Sequence, residues 1–467
     1  MMPPRKPRKS RATAGSFGAI VANVGWLLGG KGVGAVLSLI YLAVVTRTLG
    51  LAGFGQFTLV VGTAQAITTI VGFQTWQIIV RYGMAPLHEG RGDDLVRLIK
   101  GCLLVDFGGA LLGGLMAVIA VTLLGPHFGW SDELSRRALL FCFVTLIAVR
   151  STTVGILRLY DRFGLAAMMD MVMPFARLGG AVAVWLTVGT VEAFLLAWML
   201  AELASGAAYW IAAMSASRGL PWRSSRFSWK RLFAENPGIA SLAGTTNASS
   251  TFALASRQVA VLLVGFFVTP AAAGGFRLAH QLGNALAKLS QLFSRALFPE
   301  LMRARALSAD PDHFMRLLGR SVRVAALGGA LIFVLLLTIG KPMLGLVGGR
   351  EFAGAYPLLL LLGTAAVADL MGVAFEPALI AMGRAGTSFR IQLVTAVLLV
   401  VSLVLLLQNY GTIGAAAAVL GGSILGFSLM ALATYRAISR RDPVVKEADA
   451  VIIEGRSADV DRPENLG

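Results

Sequence analysis

The chain has 467 residues, of which 56% are hydrophobic and 14% charged, and its formal net charge is +17. A water-soluble protein of this length covers its core with a surface in which about a quarter of all residues are charged. The composition therefore excludes an ordinary soluble protein and points to lipid as the solvent.

A helix crossing a hydrocarbon core about 30 Å thick needs about 20 mostly apolar residues. Twelve segments meet that requirement, six in each half of the chain. The first six are predicted at Phe17–Val45, Phe54–Val80, Ile99–Leu124, Ala138–Leu157, Leu165–Val188 and Val191–Met214. The second six are predicted at Gly238–Val268, Ala271–Phe298, Leu317–Ile339, Ala353–Met382, Ile391–Leu407 and Ile413–Ala433. The first apolar run is too long for a signal-peptide core and lacks a small-residue cleavage site, so it is expected to be retained.

The cations set the expected orientation. With the N-terminus in the cytoplasm, 29 of the 41 Lys and Arg fall on the cytoplasmic side and 5 on the outer side, with 7 inside the spans. Basic loops of this kind hold topology and lie against anionic headgroups. The Arg5–Arg11 cluster comes without an aromatic platform, so no nucleic-acid partner is expected. Cys102 and Cys142 lie near opposite ends of their spans and are expected to be small, unpaired core residues.

The resulting fold class is all-α: a polytopic membrane protein of twelve transmembrane helices in two six-helix lobes related by pseudo-symmetry. The expected segments are a basic cytoplasmic tail at 1–16, a first lobe at 17–216 and an amphipathic cytoplasmic linker at 217–237. A second lobe follows at 238–436, then a disordered cytoplasmic tail at 437–467. The linker interleaves Arg218, Arg223, Arg226, Lys230 and Arg231 with Trp222, Phe227 and Trp229, as expected of a segment on the inner membrane face. The halves echo each other at an offset of 219 residues, where Gly55, Phe57 and Leu59 match Gly274, Phe276 and Leu278. Internal repeats of this type build many transporters.

Several short stretches carry a family resemblance. They are Thr46-Arg47-Thr48-Leu49-Gly50 with Gly53-Phe54-Gly55, Gly275-Phe276-Arg277-Leu278-Ala279 with Phe298-Pro299-Glu300-Leu301, and Gly349-Arg350-Glu351-Phe352 through Pro357-Leu358-Leu359. A last one runs from Met382-Gly383-Arg384 to Tyr410-Gly411-Thr412-Ile413-Gly414. Together they resemble the polysaccharide flippases (O-antigen and exopolysaccharide) of the multidrug/oligosaccharidyl-lipid/polysaccharide exporter superfamily. The resemblance implies a bacterial inner-membrane transporter that moves a polyprenyl-pyrophosphate-linked glycan by alternating access. It also implies a polysaccharide polymerase and glycosyltransferases of the same pathway as partners, and cavity cations that hold the pyrophosphate.

A charge at the bilayer centre costs about 2.5–3.5 kcal/mol on insertion scales, so it normally faces a cavity or a partner. Lys31, Arg257, Arg277 and Lys288 have no acid nearby in sequence and are the candidate substrate-binding residues. Arg277 and Lys288 are eleven residues apart, about three helical turns, and can line one face at two depths. Arg47, Arg150, Arg177, Asp106, Asp170, Asp369 and Glu376 are candidates for gate or secondary cavity charges. Asp170 and Arg177 share a face of the fifth span, where each is expected to meet a neighbouring helix.

Other motifs dissolve on inspection. Gly25-Trp26-Leu27-Leu28-Gly29-Gly30-Lys31-Gly32 approaches a phosphate-binding loop, but Gly32 replaces the Ser or Thr that holds magnesium, and helix packing explains the glycines. Asp310-Pro311-Asp312 reads as a helix start. His88, His127, His280 and His313 have no metal-ligand spacing, so neither metal nor cofactor is expected. Two other transport readings remain, a cation-coupled multidrug exporter and a lipid II flippase. A membrane polymerase or ligase would need a large outer catalytic loop, and the longest here are short, so no enzyme is expected.

Overall fold

The computed structural model describes residues 16–148, 150–223, 225–285, 311–382 and 384–439. Its regular structure is helical throughout, in the order α1 (Ser16–Val71), α2 (Thr75–His88), α3 (Gly92–His127), α4 (Asp132–Ile147), α5 (Ser151–Leu159), α6 (Phe163–Thr187) and α7 (Val191–Ala216). After the linker helix α8 (Trp229–Glu235) come α9 (Ile239–Phe267) and α10 over residues 270–285. Then follow α11 (Pro311–Gly348), a 3-10 turn (Arg350–Ala355), α12 (Tyr356–Gly372), α13 (Phe375–Ala381) and α14 (Ala385–Ser439). Below, "inner" denotes the side carrying the linker and "outer" the opposite side.

Among the described residues, eight helices are long and apolar enough to cross a membrane. Two of them, Gly32–His88 and Gly386–Ile438, have 57 and 53 residues. At 1.5 Å per residue each would reach about 80 Å, more than twice the hydrocarbon core. Each turns back instead, at Gly50 (φ 64°) and Gly411 (φ 58°), a left-handed conformation that glycine adopts without the Cβ penalty. Both glycines stand where an outer turn is expected.

Outer helix starts are capped as their sequences suggest. Ser131 Oγ accepts the Leu134 N–H at 3.2 Å, with Asp132 and Glu133 in the first turn of α4. Thr190 Oγ1 accepts the Ala193 N–H at 3.3 Å, with Glu192 opening α7. Acids in a first turn also complement the helix dipole. Pro311 is the first residue of α11, in the place where a missing N–H costs nothing.

Three spans expected to be continuous are broken. The second is interrupted at residues 72–74 between α1 and α2. The fourth is divided into α4, ending at Ile147, and α5, starting at Ser151, and the tenth is interrupted at residues 373–374 between α12 and α13. Irregular backbone survives at membrane depth where protein buries it or where it lines a wet cavity. At the first two breaks the freed groups find partners, since Ser151 Oγ accepts the Trp76 N–H at 3.2 Å. Other boundaries shift as well, because α3 and α11 extend beyond the spans expected at Ile99–Leu124 and Leu317–Ile339.

The buried residues sort by depth. One large cluster joins both halves through Phe54, Phe57, Phe194, Phe276 and Phe352. A second gathers Ile78 and Ile79 of α2, Leu98 and Ile99 of α3, Ile156 of α5 and Leu232 of the linker. Cys102 and Cys142 are free and buried, as expected. The linker is pinned to the inner end of α3, where Lys100 Nζ donates to the Trp222 and Ser225 carbonyls at 2.9 and 2.7 Å. Buried Arg97 pairs with Asp94 and Glu235, each at 2.9 Å. The expected tail segments fall outside the described residues, apart from Ser16 and residues 437–439.

Candidate substrate cavity

Arg177 of α6 lies between two rings, with its guanidinium carbon 3.6 Å from the Trp198 ring centroid and 4.2 Å from that of Tyr41. Its Nε and the Tyr41 hydroxyl are both buried without a hydrogen-bond partner. From α10, Arg277 Nη1 donates to Gln258 Oε1 of α9 at 3.1 Å. Gln258 Nε2 in turn donates to Gln65 Oε1 of α1. Neither guanidinium has a carboxylate partner among the described residues. Aromatic faces and amide oxygens hold the cations without neutralising them, which leaves net positive charge where the halves meet.

Of the four cations expected to bind substrate, Arg277 is in this group. The side chains of Lys31 and Arg257, and the whole of Lys288, lie outside the described residues. Arg177, expected among the secondary charges, stacks on Trp198 and Tyr41. Gln65 and Gln258 carry no signal in the sequence, because single polar residues in apolar runs have no motif around them. Tyr41 and Trp198 read as ordinary span aromatics.

A second polar region lies around the breaks of the first half. Arg150, at the start of α5, donates to Ser205 Oγ and Glu202 Oε2, both at 2.9 Å. Trp198 Nε1 donates to Glu202 Oε1 at 3.1 Å, so one indole touches Arg177 with its face and Glu202 with its edge. Asp106 accepts from the hydroxyls of Thr152 at 2.6 Å and Thr75 at 3.0 Å. Asp106, Gln65, Trp198, Arg150 and Glu202 line a cavity of about 340 Å³. Asp170 and Arg177 do have separate partners on neighbouring helices, since Asp170 accepts from the Tyr209 hydroxyl.

In the second half, Asp369 and Glu376 line a cavity of about 440 Å³ with His280 and Asn284. Gln392 Nε2 donates to Glu376 Oε1 at 2.8 Å.

On the outer side the halves are joined by polar contacts to the backbone. Thr46 Oγ1 donates to the Val347 carbonyl at 2.8 Å, and Arg47 Nη2 donates to the Leu346 carbonyl. Glu351 Oε2 accepts the Leu51 N–H at 2.9 Å, beside the turn at Gly50. Phe54 packs edge-on against Phe352 with ring centroids 5.9 Å apart. Together these contacts join the two halves on the outer side.

The comparisons with known proteins agree with this architecture. The family described as "Polysaccharide biosynthesis protein" matches residues 20–305. The inner membrane protein YghQ of Escherichia coli (strain K12) is 29% identical over 350 residues, covering 74% of this chain and 97% of that protein. Among solved structures, an inward-facing multidrug resistance MATE family transporter of the MOP superfamily superposes with a TM-score of 0.68. It is 13% identical and covers 88% of this chain and 96% of its own. The lipid II flippase MurJ in an inward closed conformation also gives 0.68, at 11% identity, covering 93% of this chain and 92% of its own. At such identities the likeness concerns the fold. The chain thus has the fold of these multi-pass membrane proteins, and it belongs to the polysaccharide biosynthesis protein family.

Proposed function

We propose that the protein is a flippase carrying a polyprenyl-pyrophosphate-linked oligosaccharide across the bacterial inner membrane by alternating access, for the assembly of a cell-surface polysaccharide. Its twelve helices form two pseudo-symmetric six-helix lobes, with both termini in the cytoplasm. The eight candidate spans become ten once the two long ones are divided at Gly50 and Gly411, and α9 and α10 bring the count to twelve. The fold shared with MATE and MurJ transporters supports it too.

One observation carries the substrate reading: Arg177 stacks on Trp198 and Arg277 is linked through Gln258 to Gln65, two residues lining one cavity, and neither cation has a carboxylate partner among the described residues. Two such cations call for an anion, and a pyrophosphate offers enough oxygens to engage both. Arginine suits the task because its planar fork bonds phosphate oxygens in pairs. The glycan would follow through the polar cavity while the prenyl tail stays in lipid. Lys31, Arg257 and Lys288 extend the same proposal along α1, α9 and the chain after α10. Arg47 belongs to the outer gate in this reading, and Asp170, Asp369 and Glu376 are secondary cavity charges. A polymerase and glycosyltransferases of the pathway are the proposed partners.

A multidrug exporter of cationic compounds fits less well. The aromatic pair that would receive such a drug, Tyr41 and Trp198, already holds Arg177. Translocation of a lipid-linked sugar into proteoliposomes tests the reading. Arg177→Ala and Arg277→Ala should each slow it strongly, and unimpaired transport by both would remove the proposal.

A further inference from the structure

Asp106 is 7% exposed, and its carboxylate has no cation against it among the described residues. It sits on α3 at the level where two neighbouring spans break. Thr75 is the first residue of α2 and Thr152 is the second of α5, and both donate to the same oxygen, Oδ2. The two hydroxyl oxygens are themselves 3.2 Å apart. One carboxylate therefore ties both inner half-helices to the continuous α3. The cavity of about 340 Å³ reaches the same carboxylate.

The breaks also divide the packing. Below them, α2, α5 and the inner end of α3 form their own apolar cluster with the linker. Above them, Val71 at the end of α1 and Leu146 near the end of α4 belong to the large cluster shared by both halves. Two unbroken helices of the cavity wall, α3 beside Asp106 and α7 opposite, cross from one cluster to the other. The tie stands between two apolar clusters, at the breaks of α1–α2 and α4–α5, where a small change in bonding is converted into a change of angle.

We propose that Asp106 is a proton-binding site, and that its charge state sets the angle between the inner and outer parts of the first lobe. This deepens the transport reading by assigning the coupling ion. A proton arriving from cavity water adds to a carboxylate oxygen, and nothing else changes covalently. The ionised carboxylate receives two charge-assisted hydrogen bonds, which are about twice as strong as neutral ones. The protonated acid holds Thr75 and Thr152 more weakly and releases the half-helices.

The other charged groups around the cavity have partners of their own. Across the cavity, Arg150 of α5 and Glu202 of α7 satisfy each other at 2.9 Å. Arg158 of α5 is stacked over Trp76 at 4.0 Å, and Cys102 lies one turn away on α3. Asp170 of α6 is held by Tyr209 of α7. From α1 and α4 the cavity receives Gln65, Thr68 and Thr145, none of which titrates.

The test uses the full chain in lipid nanodiscs without any substrate, so its outcome is independent of what is transported. Infrared difference spectra across pH report a protonated carboxyl, and spin labels at Met84→Cys and Asp132→Cys report the angle across the breaks. In the otherwise native chain, both signals should change together over one pH transition. Asp106→Asn should lose the carboxyl band and hold the released distance at every pH. Thr152→Val keeps the acid but removes one donor to the ionised form, so the transition should move up by about one pH unit. A carboxyl band that persists in Asp106→Asn, a distance that ignores pH in the native chain, or an unmoved transition in Thr152→Val would overturn the proposal.

Discussion

Gly55 of α1 and Gly274 of α10, matching positions of the two halves, pack backbone against backbone. A Cβ built on Gly55 collides with the Pro270 carbonyl oxygen, and one on Gly274 comes within 3.0 Å of the Gly55 nitrogen. The repeat seen as an echo in the sequence thus meets itself at the outer seam, where only glycine lets the helices approach so closely. Gly55→Leu should push the halves apart on that side. Reaction of a probe cysteine at buried Ala355 with a membrane-impermeant thiol reagent added from outside should then accelerate about tenfold or more. An unchanged rate would show that the seam yields elsewhere.

Glu351 should act on the same equilibrium by a gentler route. Its carboxylate accepts the Leu51 N–H at 2.9 Å across the seam. A hydrogen bond to a charged group contributes about 1.5–3 kcal/mol, and 1.4 kcal/mol is a factor of ten in population. Glu351→Ala should therefore raise the Ala355→Cys labelling rate about tenfold, with Glu351→Gln in between because an amide oxygen still accepts.

At the centre, Arg177→Ala should weaken binding of a soluble prenyl-pyrophosphate analogue by about 10- to 100-fold, corresponding to the loss of one charge-assisted contact. Arg177→Lys should recover only part of this, since lysine keeps the charge but neither stacks as a plane nor bonds in a fork. Equal affinity in both variants, read by calorimetry, would show that Arg177 only fills the space between Tyr41 and Trp198.

Near the linker, the side chain of Arg97 is only 7% exposed and is shared between Asp94 and Glu235. Removing one acid leaves a buried guanidinium half-satisfied, at a cost of about 1–2 kcal/mol. Glu235→Ala should lower the apparent unfolding midpoint by a few degrees. Glu133→Ala, whose partners Arg136 and Arg137 are exposed at 73% and 40%, should not move it.

Composition and the spacing of apolar runs were enough to establish a polytopic helical membrane protein. Burial of about 20 apolar residues per crossing is a local property that needs no knowledge of neighbours. The outer turns were legible for the same reason, since Gly50 and Gly411 bear the backbone conformation that the turn demands. The breaks after Val71 and after Ile147 were not, because Gln74, Thr75, Arg150, Ser151 and Thr152 read as scattered polar residues within runs still apolar enough to cross. Their stability comes from Asp106, Ser151 and the two threonines, which stand as many as 77 residues apart.

The charged residues divide in the same way. The sequence by itself determined which ionisable groups enter the membrane, because every Arg, Asp or Glu inside a span is visible against its apolar flanks. Only the tertiary structure decided which of them are spent on one another. Arg150 and Glu202, 52 residues apart, neutralise each other, whereas Arg177 and Arg277 have no carboxylate partner among the described residues. Pairing depends on which helix faces meet, and that is settled by packing along the whole length of the helices.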